Sequence, residues 1–338
     1  MISYCAKVIR HGGLVVFPTE TVYGIAADFN NEQAMKRLRE VKKRTDDKPF
    51  SVLISQRGLI ANYTPMRDPV LYKIIDAFWP GPLTIIVPTI REGETIGIRM
   101  PDHNIALRLV QESQCTIAAP SANLEGQPAP STCEEALKDL EGLVDVAIDG
   151  GVAKLGNSSS IVDLTPSKPV LLRQGAIAQK DIDRAAAQKT ILFVCTGNSC
   201  RSVMAEYILK SMVGHRADVE VHSAGTGVFI NSMASAETIS VLKEEGIDAT
   251  RHQSQSIHST LLRKSDLIFV MTRAHRQQVL ERVPEVEKRV YLLKEFTHMP
   301  AGFPMDLDIA DPIGRPHHAY KECLAVIKEA MAKIVNLI

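Results

Sequence analysis

The chain has 338 residues, 45% of them hydrophobic and 23% charged, with Lys+Arg and Asp+Glu both at 39. That length suits two domains of roughly 150 to 180 residues, each able to bury a core of its own. The balanced charge excludes a global basic field for nucleic acid or a membrane surface and leaves only local patches.

Six cysteines, Cys5, Cys115, Cys133, Cys195, Cys200 and Cys323, contain no C-x-x-C pair for structural zinc. The opening "MISYCAKVIRHGG" lacks the apolar core of a signal peptide, and no apolar run approaches the ~18 residues of a membrane span. The expectation is a cytoplasmic protein with reduced thiols and no membrane partner.

From the N-terminus, short β-branched runs bounded by turn residues predict strands in "GGLVVFPTE", "GPLTIIVPT", "ETIGIRMP", "CTIAAPSAN", "DVAIDGG", "SSSIVDLT" and "KPVLLRQG". Helical spacing in "NEQAMKRLREVKKR" and "PVLYKIIDAFW" interrupts them. Irregular intervals and scattered prolines predict an α+β domain on a twisted mixed sheet over residues 1–178. Residues 179–188, Ala-rich and charged, read as a short helix or linker.

From residue 189 the pattern alternates. "TILFVC" reads as a buried parallel strand, "RSVMAEYILKSMV" as a helix and "VEVHSAG" as a strand. "SAETISVLKEEG" follows as a helix ending at Gly246 and "SDLIFVMT" as a strand. "YLLKEF" and "HHAYKECLAVIKEAMAKIV" close the βα series to residue 338. This alternation predicts a doubly wound parallel α/β sheet with its site at the carboxyl ends of the strands.

In the first domain, polar residues crowd the strand ends. "VVFPTETVYG" places Thr19, Glu20, Thr21 and Tyr23 after an apolar strand, and "REVKKRTDDKPF" places Lys42, Lys43, Arg44 and Lys48 at a helix end. The basic cluster by itself is equally a solvated helix terminus favoured by the dipole. Hydroxyl-rich stretches beside Arg99 and Arg173 suggest a cavity for phosphates and a small zwitterion. In this order, "PTETVYG", the K-x-R of Lys42 and Arg44, and the S-x-N of Ser121 and Asn123 resemble the YrdC-like threonylcarbamoyl-AMP synthase family.

The resemblance implies condensation of L-threonine, bicarbonate and ATP to threonylcarbamoyl-AMP, with Mg²⁺ accompanying the nucleotide. A separate transferase would then pass the group to tRNA. It assigns Lys42, Arg44, Ser121, Asn123 and Arg173 to ATP, and Thr19, Arg99 and Ser159 to threonine. Many members carry a histidine near the stretch that reads "FSVLIS" here. An RNA-binding or regulatory module is the alternative, with transient RNA contact on a concave basic face.

In the second domain, Cys195 ends an apolar strand, and "TGNSCR" leads into a helix. Such a turn wraps N–H groups around a helix N-terminus, where an anion binds and a thiolate is favoured. Arg201 adds a planar fork for phosphate oxygens. Asp311, before Pro312, is held extended as a loop acid needs, whereas Asp306 and Asp308 read as a solvated loop.

"VCTGNSCRSVMAE", "HSAGT", "DLIFVMTRAH" and "DIADPIG" resemble the low-molecular-weight protein phosphatases. That resemblance implies a cysteinyl-phosphate on Cys195, phosphate binding by Arg201, and Asp311 as acid and then base. Ser202 would support the thiolate, and Asn198, Ser223 and His275 would shape the loop, with no metal or other cofactor. The substrate is a phosphorylated protein. Tyrosine phosphatases of the family usually carry a bulky apolar residue at the Ser199 position and tyrosines after D-P, where this chain has Ile313-Gly314. Protein-arginine phosphatases, with a small hydroxyl residue there and a "DPxG" loop, resemble the chain more closely, so phosphoarginine is favoured and phosphotyrosine is the alternative. Arsenate reductases share the fold but need further cysteines, and after Cys200 only Cys323 follows. Cys200 could pair reversibly with Cys195 or simply pack the loop.

Overall fold

The computed structural model describes residues 1–44, 50–297 and 306–338; Lys48 lies outside them. By backbone contacts the chain divides into two units, residues 1–66 with 73–186, and residues 67–72 with 187–338.

In the first unit the elements in chain order are α1 (Ile2–Arg10), β1 (Val15–Phe17), β2 (Gly24–Asp28), α2 (Glu32–Lys42), β3 (Val52–Leu53), α3 (Pro69–Phe78, whose first turn counts with the second unit), β4 (Leu83–Pro88), β5 (Thr95–Arg99) and α4 (Asn104–Ser113). They continue with β6 (Ile117–Ala118), α5 (Cys133–Leu140), β7 (Val146–Ala147), β8 (Ser160–Asp163), β9 (Val170–Arg173) and α6 (Gln179–Ala187). Among the described residues, nine strands form one sheet in the order β7-β1-β2-β6-β3-β5-β4-β8-β9. Pairing is mixed: β4 runs antiparallel to β5 and parallel to β8. The expected α+β mixed sheet is therefore present.

Local chemistry starts the helices. Asn31 caps α2 by accepting from Ala34 N at 3.1 Å, and Thr132 caps α5 by accepting from Glu135 N at 3.1 Å. The core lies on both sheet faces. Leu14, Val16, Tyr23 and Ile25 pack with α2 and α5 on one side. Val15, Phe17 and Ala26 pack with α1 and α4 on the other.

The second unit contains β10 (Lys189–Cys195), α7 (Arg201–Val213), β11 (Val219–Gly225), α8 (Ala236–Glu244), α9 (Ser259–Lys264), β12 (Leu267–Val270), α10 (Arg273–Arg282), β13 (Val290–Leu292) and α11 (His317–Ile334). Its sheet runs β11-β10-β12-β13, and every pairing is parallel. Strand alternation sends Ile191, Phe193 and Cys195 to the core beneath α7, α8 and α11. It sends Leu192 and Val194 to the opposite core with α9 and α10. Helices thus cover both faces, as the βα alternation predicts. In "YLLKEF" the strand stops at Leu292, and Leu293–Phe296 turn into a 3₁₀ helix.

Candidate functional sites

A cavity of about 720 Å³ opens in the first unit, and all eight residues singled out from the sequence line it: Thr19, Lys42, Arg44, Arg99, Ser121, Asn123, Ser159 and Arg173. They come from ends of β1, α2, β5, β6, β8 and β9 and from the turns beside them. Glycine makes room at two strands: an added Cβ at Gly97 would lie 2.6 Å from Ser51 Oγ, and one at Gly24 would lie 3.1 Å from the Phe17 ring.

Their polar groups are heavily cross-linked. Lys42 Nζ donates to Ser121 O at 2.8 Å, Asn123 O at 2.5 Å and Asn123 Oδ1 at 3.3 Å. Burial, reinforced by Arg44, pulls its ammonium down to about 8. Lys43 caps α2 with φ 50°, a left-handed turn between Lys42 and Arg44. Arg44 stacks on the Phe50 ring, 4.6 Å from its centroid. Arg99 Nη2 donates to Glu20 Oε1 at 2.7 Å and Thr21 Oγ1 at 2.9 Å, and its Nε donates to Gly81 O at 3.2 Å. Arg173 Nε donates to Ser159 O at 2.9 Å and Nη2 to Ser159 Oγ at 3.2 Å. Burial first, and then Arg99, lower the Arg173 value. Thr19 Oγ1 closes its own turn, donating to Val22 O at 2.6 Å.

These groups can neutralise phosphates and seat a small polar molecule. Glu125 and Asp163 also line the cavity, but no cluster of three or more His, Cys, Asp or Glu forms a metal site among the described residues. Magnesium fits here only as a companion of a triphosphate, with phosphate oxygens as its main ligands.

In the second unit, Cys195 is 3% exposed and its Sγ lies 2.9 Å from Ser202 Oγ. Asn198, at φ 51°, donates from Nδ2 to Ser202 Oγ at 3.0 Å and to Ser223 Oγ at 2.7 Å. The backbone N–H of Gln255 donates to Asn198 Oδ1 at 2.9 Å, which fixes which end of the amide faces which way. Each serine accepts from Asn198. Ser223 donates onward to Glu206 Oε2 in a short bond, and Ser202 Oγ shares a contact with Cys195 Sγ in which either atom can donate.

The loop backbone is turned inside out. Carbonyls of Cys195, Thr196 and Ser199 accept from Thr226 N, Gly227 N and Ser235 N, and the Asn198 carbonyl contacts His252 Nε2 at 2.9 Å. With these carbonyls engaged by neighbouring donors, the loop meets one requirement of an anion nest, in which the N–H groups face the ligand. A Cβ at Gly225 would come within 2.4 Å of Thr196 O, so "HSAGT" needs its glycine.

Arg201 Nη1 donates to Ile309 O at 3.0 Å and Nη2 to Asp311 Oδ2 at 2.5 Å, while its buried Nε has no partner among the described residues. His275 Nε2 lies 2.9 Å from Thr196 Oγ1 and Nδ1 lies 2.9 Å from Thr272 Oγ1. Burial, with Arg201 next, pushes His275 down to about 4, so the ring is neutral near pH 7. A cysteine beside a serine hydroxyl, a nest-like loop, a buried guanidinium and a half-exposed carboxylate together can capture a phosphoryl group and transfer it to sulfur.

A family model described as "Telomere recombination", Sua5/YciO/YrdC, matches residues 7–175, half of the chain. The chain belongs to the Sua5/YciO/YrdC family. A second model, "Low molecular weight phosphotyrosine protein phosphatase", matches residues 190–338, so the C-terminal unit is a low-molecular-weight phosphatase domain.

The chain is 39% identical over 215 residues to the threonylcarbamoyl-AMP synthase of Pyrococcus abyssi, covering 60% of this chain and 62% of the relative. To the threonylcarbamoyl-AMP synthase of Bacillus subtilis it is 38% identical over 191 residues, 54% of this chain and 55% of the relative. It thus spans less than two thirds of either. The crystal structure of P. abyssi Sua5 complexed with L-threonine is similar at 26% identity and a TM-score of 0.52, covering 86% of this chain and 95% of that one.

Within the YrdC-like domain, sequence reasoning did not assign Glu20, although it stood in the quoted motif; it is the buried counter-ion of Arg99. Leu53, in the "FSVLIS" stretch, lines the cavity. In the phosphatase domain, Glu206, His252 and Gln255 were missed. Glu206 reads as an ordinary helical charge with Lys210 at i+4, the ion pair it does make at 2.5 Å. Asp308 accepts from Arg273 N at 2.8 Å and Asp306 from Asp308 N at 3.1 Å, so both serve the loop. Cys200 Sγ faces Ser235 Oγ at 3.4 Å and Tyr320 OH at 4.0 Å. Cys323 shares the buried core of Cys195 and Cys200, with its thiol pushed up to about 12 by burial, a poor donor for a redox relay. No helix among the described residues is long and apolar enough to cross a membrane.

Proposed function

We propose that the chain is bifunctional, with residues 1–178 making threonylcarbamoyl-AMP from L-threonine, bicarbonate and ATP, residues 179–188 as the connection, and residues 189–338 hydrolysing phosphoproteins. The observation that carries the first activity is the convergence of Lys42, Arg44, Ser121, Asn123 and Arg173 with Thr19, Arg99 and Ser159 on one cavity. The L-threonine bound by P. abyssi Sua5 supports the amino-acid substrate. Threonine's amine condenses with bicarbonate to a carbamate, forming the C–N bond as a C–O bond breaks and water leaves. A carbamate oxygen then attacks the α-phosphorus of Mg²⁺-ATP, and pyrophosphate leaves. The domain supplies positioning and charge neutralisation for that step, and a separate transferase carries the product to tRNA. Pyrophosphate release should require both threonine and bicarbonate. Its absence, with RNA binding intact, would favour the RNA-binding alternative.

The Cys195–Ser202 contact and the Arg201–Asp311 pair carry the second activity. Sulfur attacks phosphorus, the leaving atom takes the Asp311 proton, and water activated by Asp311 cleaves the cysteinyl phosphate. Ser199, small and polar beside the nest, leaves room for a guanidinium, which supports phosphoarginine. Phe229 gives phosphotyrosine its own support: it is 96% exposed, two residues after Gly227, whose N–H bonds Thr196 O, and could stack on a phenyl ring. Rates on matched phosphoarginine and phosphotyrosine peptides separate the two, with Ser199→Ile expected to lower only the former. Cys195→Ala should abolish dephosphorylation and leave pyrophosphate release intact.

A further inference from the structure

Lys42 is the last residue of α2, and it grips one loop twice. Its carbonyl accepts from Glu125 N at 3.0 Å, and its ammonium reaches three oxygens of that loop, Ser121 O, Asn123 O and Asn123 Oδ1. An ammonium carries three N–H donors and no acceptor. All three are met by loop oxygens, at a residue only 6% exposed, so none remains to point at a phosphate. The Asn123 amide is committed in the same way: Oδ1 to Lys42, and Nδ2 to Leu124 O at 2.9 Å and Gln127 O at 2.6 Å.

We infer that Lys42, with Asn123, is a positioning residue, a pin that sets the Ser121–Gly126 wall of the cavity and does not itself bind phosphate. The inference rests on the nucleotide-site reading above. Without the ammonium, three half-buried oxygens lose their donor and the segment must rearrange toward water to satisfy them. The loss would therefore be felt by any ligand that touches the wall, charged or not. A phosphate contact would be felt only by ligands that carry phosphate.

The test is titration calorimetry of the full chain with ATP and with adenosine, in wild type, Lys42→Met and Lys42→Arg. A pin requires both ligands to weaken by the same factor, about tenfold. It also requires Lys42→Arg to behave like Lys42→Met, because a planar guanidinium cannot reproduce the tripod of donors that meets the three loop oxygens. Adenosine binding left at the wild-type level while ATP weakens, or full retention of ATP binding by Lys42→Arg, overturns the inference. Hydrogen exchange without ligand reads the pin separately. Exchange across residues 121–127 should quicken about tenfold in Lys42→Met while β4, β5 and β8 of the same unit keep their protection, which also shows that the variant domain folds. Unchanged exchange there overturns the pin. Wild type that binds neither nucleotide, with the exchange effect present, would instead sink the nucleotide reading.

Discussion

Asp311 Oδ2 lies 2.5 Å from Arg201 Nη2, joining residues 110 positions apart across the mouth of the phosphatase site. The two partners differ in exposure: the Arg201 side chain is 5% exposed and that of Asp311 is 40%. The guanidinium is buried, and the carboxylate reaches solvent, as the acid role proposed for it requires. Ile313 N donates to the other oxygen of Asp311 at 3.2 Å and holds it there.

Asp311→Asn keeps the size of the side chain, can accept from only one of the Arg201 and Ile313 donors because its NH₂ faces the other, and has no acidic proton to give. Turnover of an aryl phosphate with a poor leaving group should fall by about 10²–10⁴. A nitrophenyl leaving group, which needs little protonation, should suffer far less in the first step. Equal losses for both leaving groups in burst kinetics would remove Asp311 from the acid role.

Ser202 supplies the hydroxyl that reaches the Cys195 sulfur at 2.9 Å. Ser202→Ala removes that donor and leaves one Asn198 N–H without its acceptor. Alkylation of Cys195 by iodoacetamide at neutral pH should slow several-fold, with the fold intact by circular dichroism. An unchanged rate would mean that the nest amides alone hold the thiolate.

His275 is held at about 4, below the free imidazole value, mainly by burial. Its folded value is depressed, so the unfolded chain binds a proton that the folded domain refuses between about pH 6.5 and 4. The stabilising contribution is present above pH 6.5 and is lost as pH falls toward 4, by about 2–3 kcal/mol. His275→Gln should flatten that part of the urea-denaturation pH profile. A slope identical to wild type would place the titration elsewhere.

Arg99 and Glu20 form a buried ion pair at 2.7 Å through Glu20 Oε1, and Glu20 Oε2 has no partner among the described residues. Arg99→Met strands a buried carboxylate and should cost about 3–5 kcal/mol by urea denaturation. Arg99→Met with Glu20→Leu should recover most of that stability while leaving threonine-dependent pyrophosphate release abolished. Recovery of activity along with stability would show that Arg99 only balances charge.

Much of both sites was legible because the signals are local. An apolar run, then a turn rich in Gly, Asn and Ser, then a helix marks Cys195 to Ser202 wherever the rest of the chain lies. The strand Gly24–Asp28 escaped notice because "GIAAD" has neither β-branched residues beyond Ile25 nor alternation, being buried on both faces. Helix α1 was passed over as an N-terminal segment, although Ile2, Cys5, Ala6 and Ile9 lie on one helical face. His252 and Gln255 sit in the polar run "RHQSQSIH", which looks like any solvated loop. Only packing turns His252 toward the Asn198 carbonyl.

The sequence by itself determined the two domains, their sheet types and the turn after Cys195. These depend on periodicity and on backbone conformations that nearby residue types impose. The residues of the first cavity were named through the family resemblance. Only the tertiary structure decided which polar groups spend their hydrogen bonds on one another. Lys42 meets Ser121 and Asn123, Arg99 meets Glu20, Asn198 meets Ser223, and Arg201 meets Asp311. Such partners are chosen by strand order and burial, because a polar group removed from water must find whichever complementary atom the fold brings within reach.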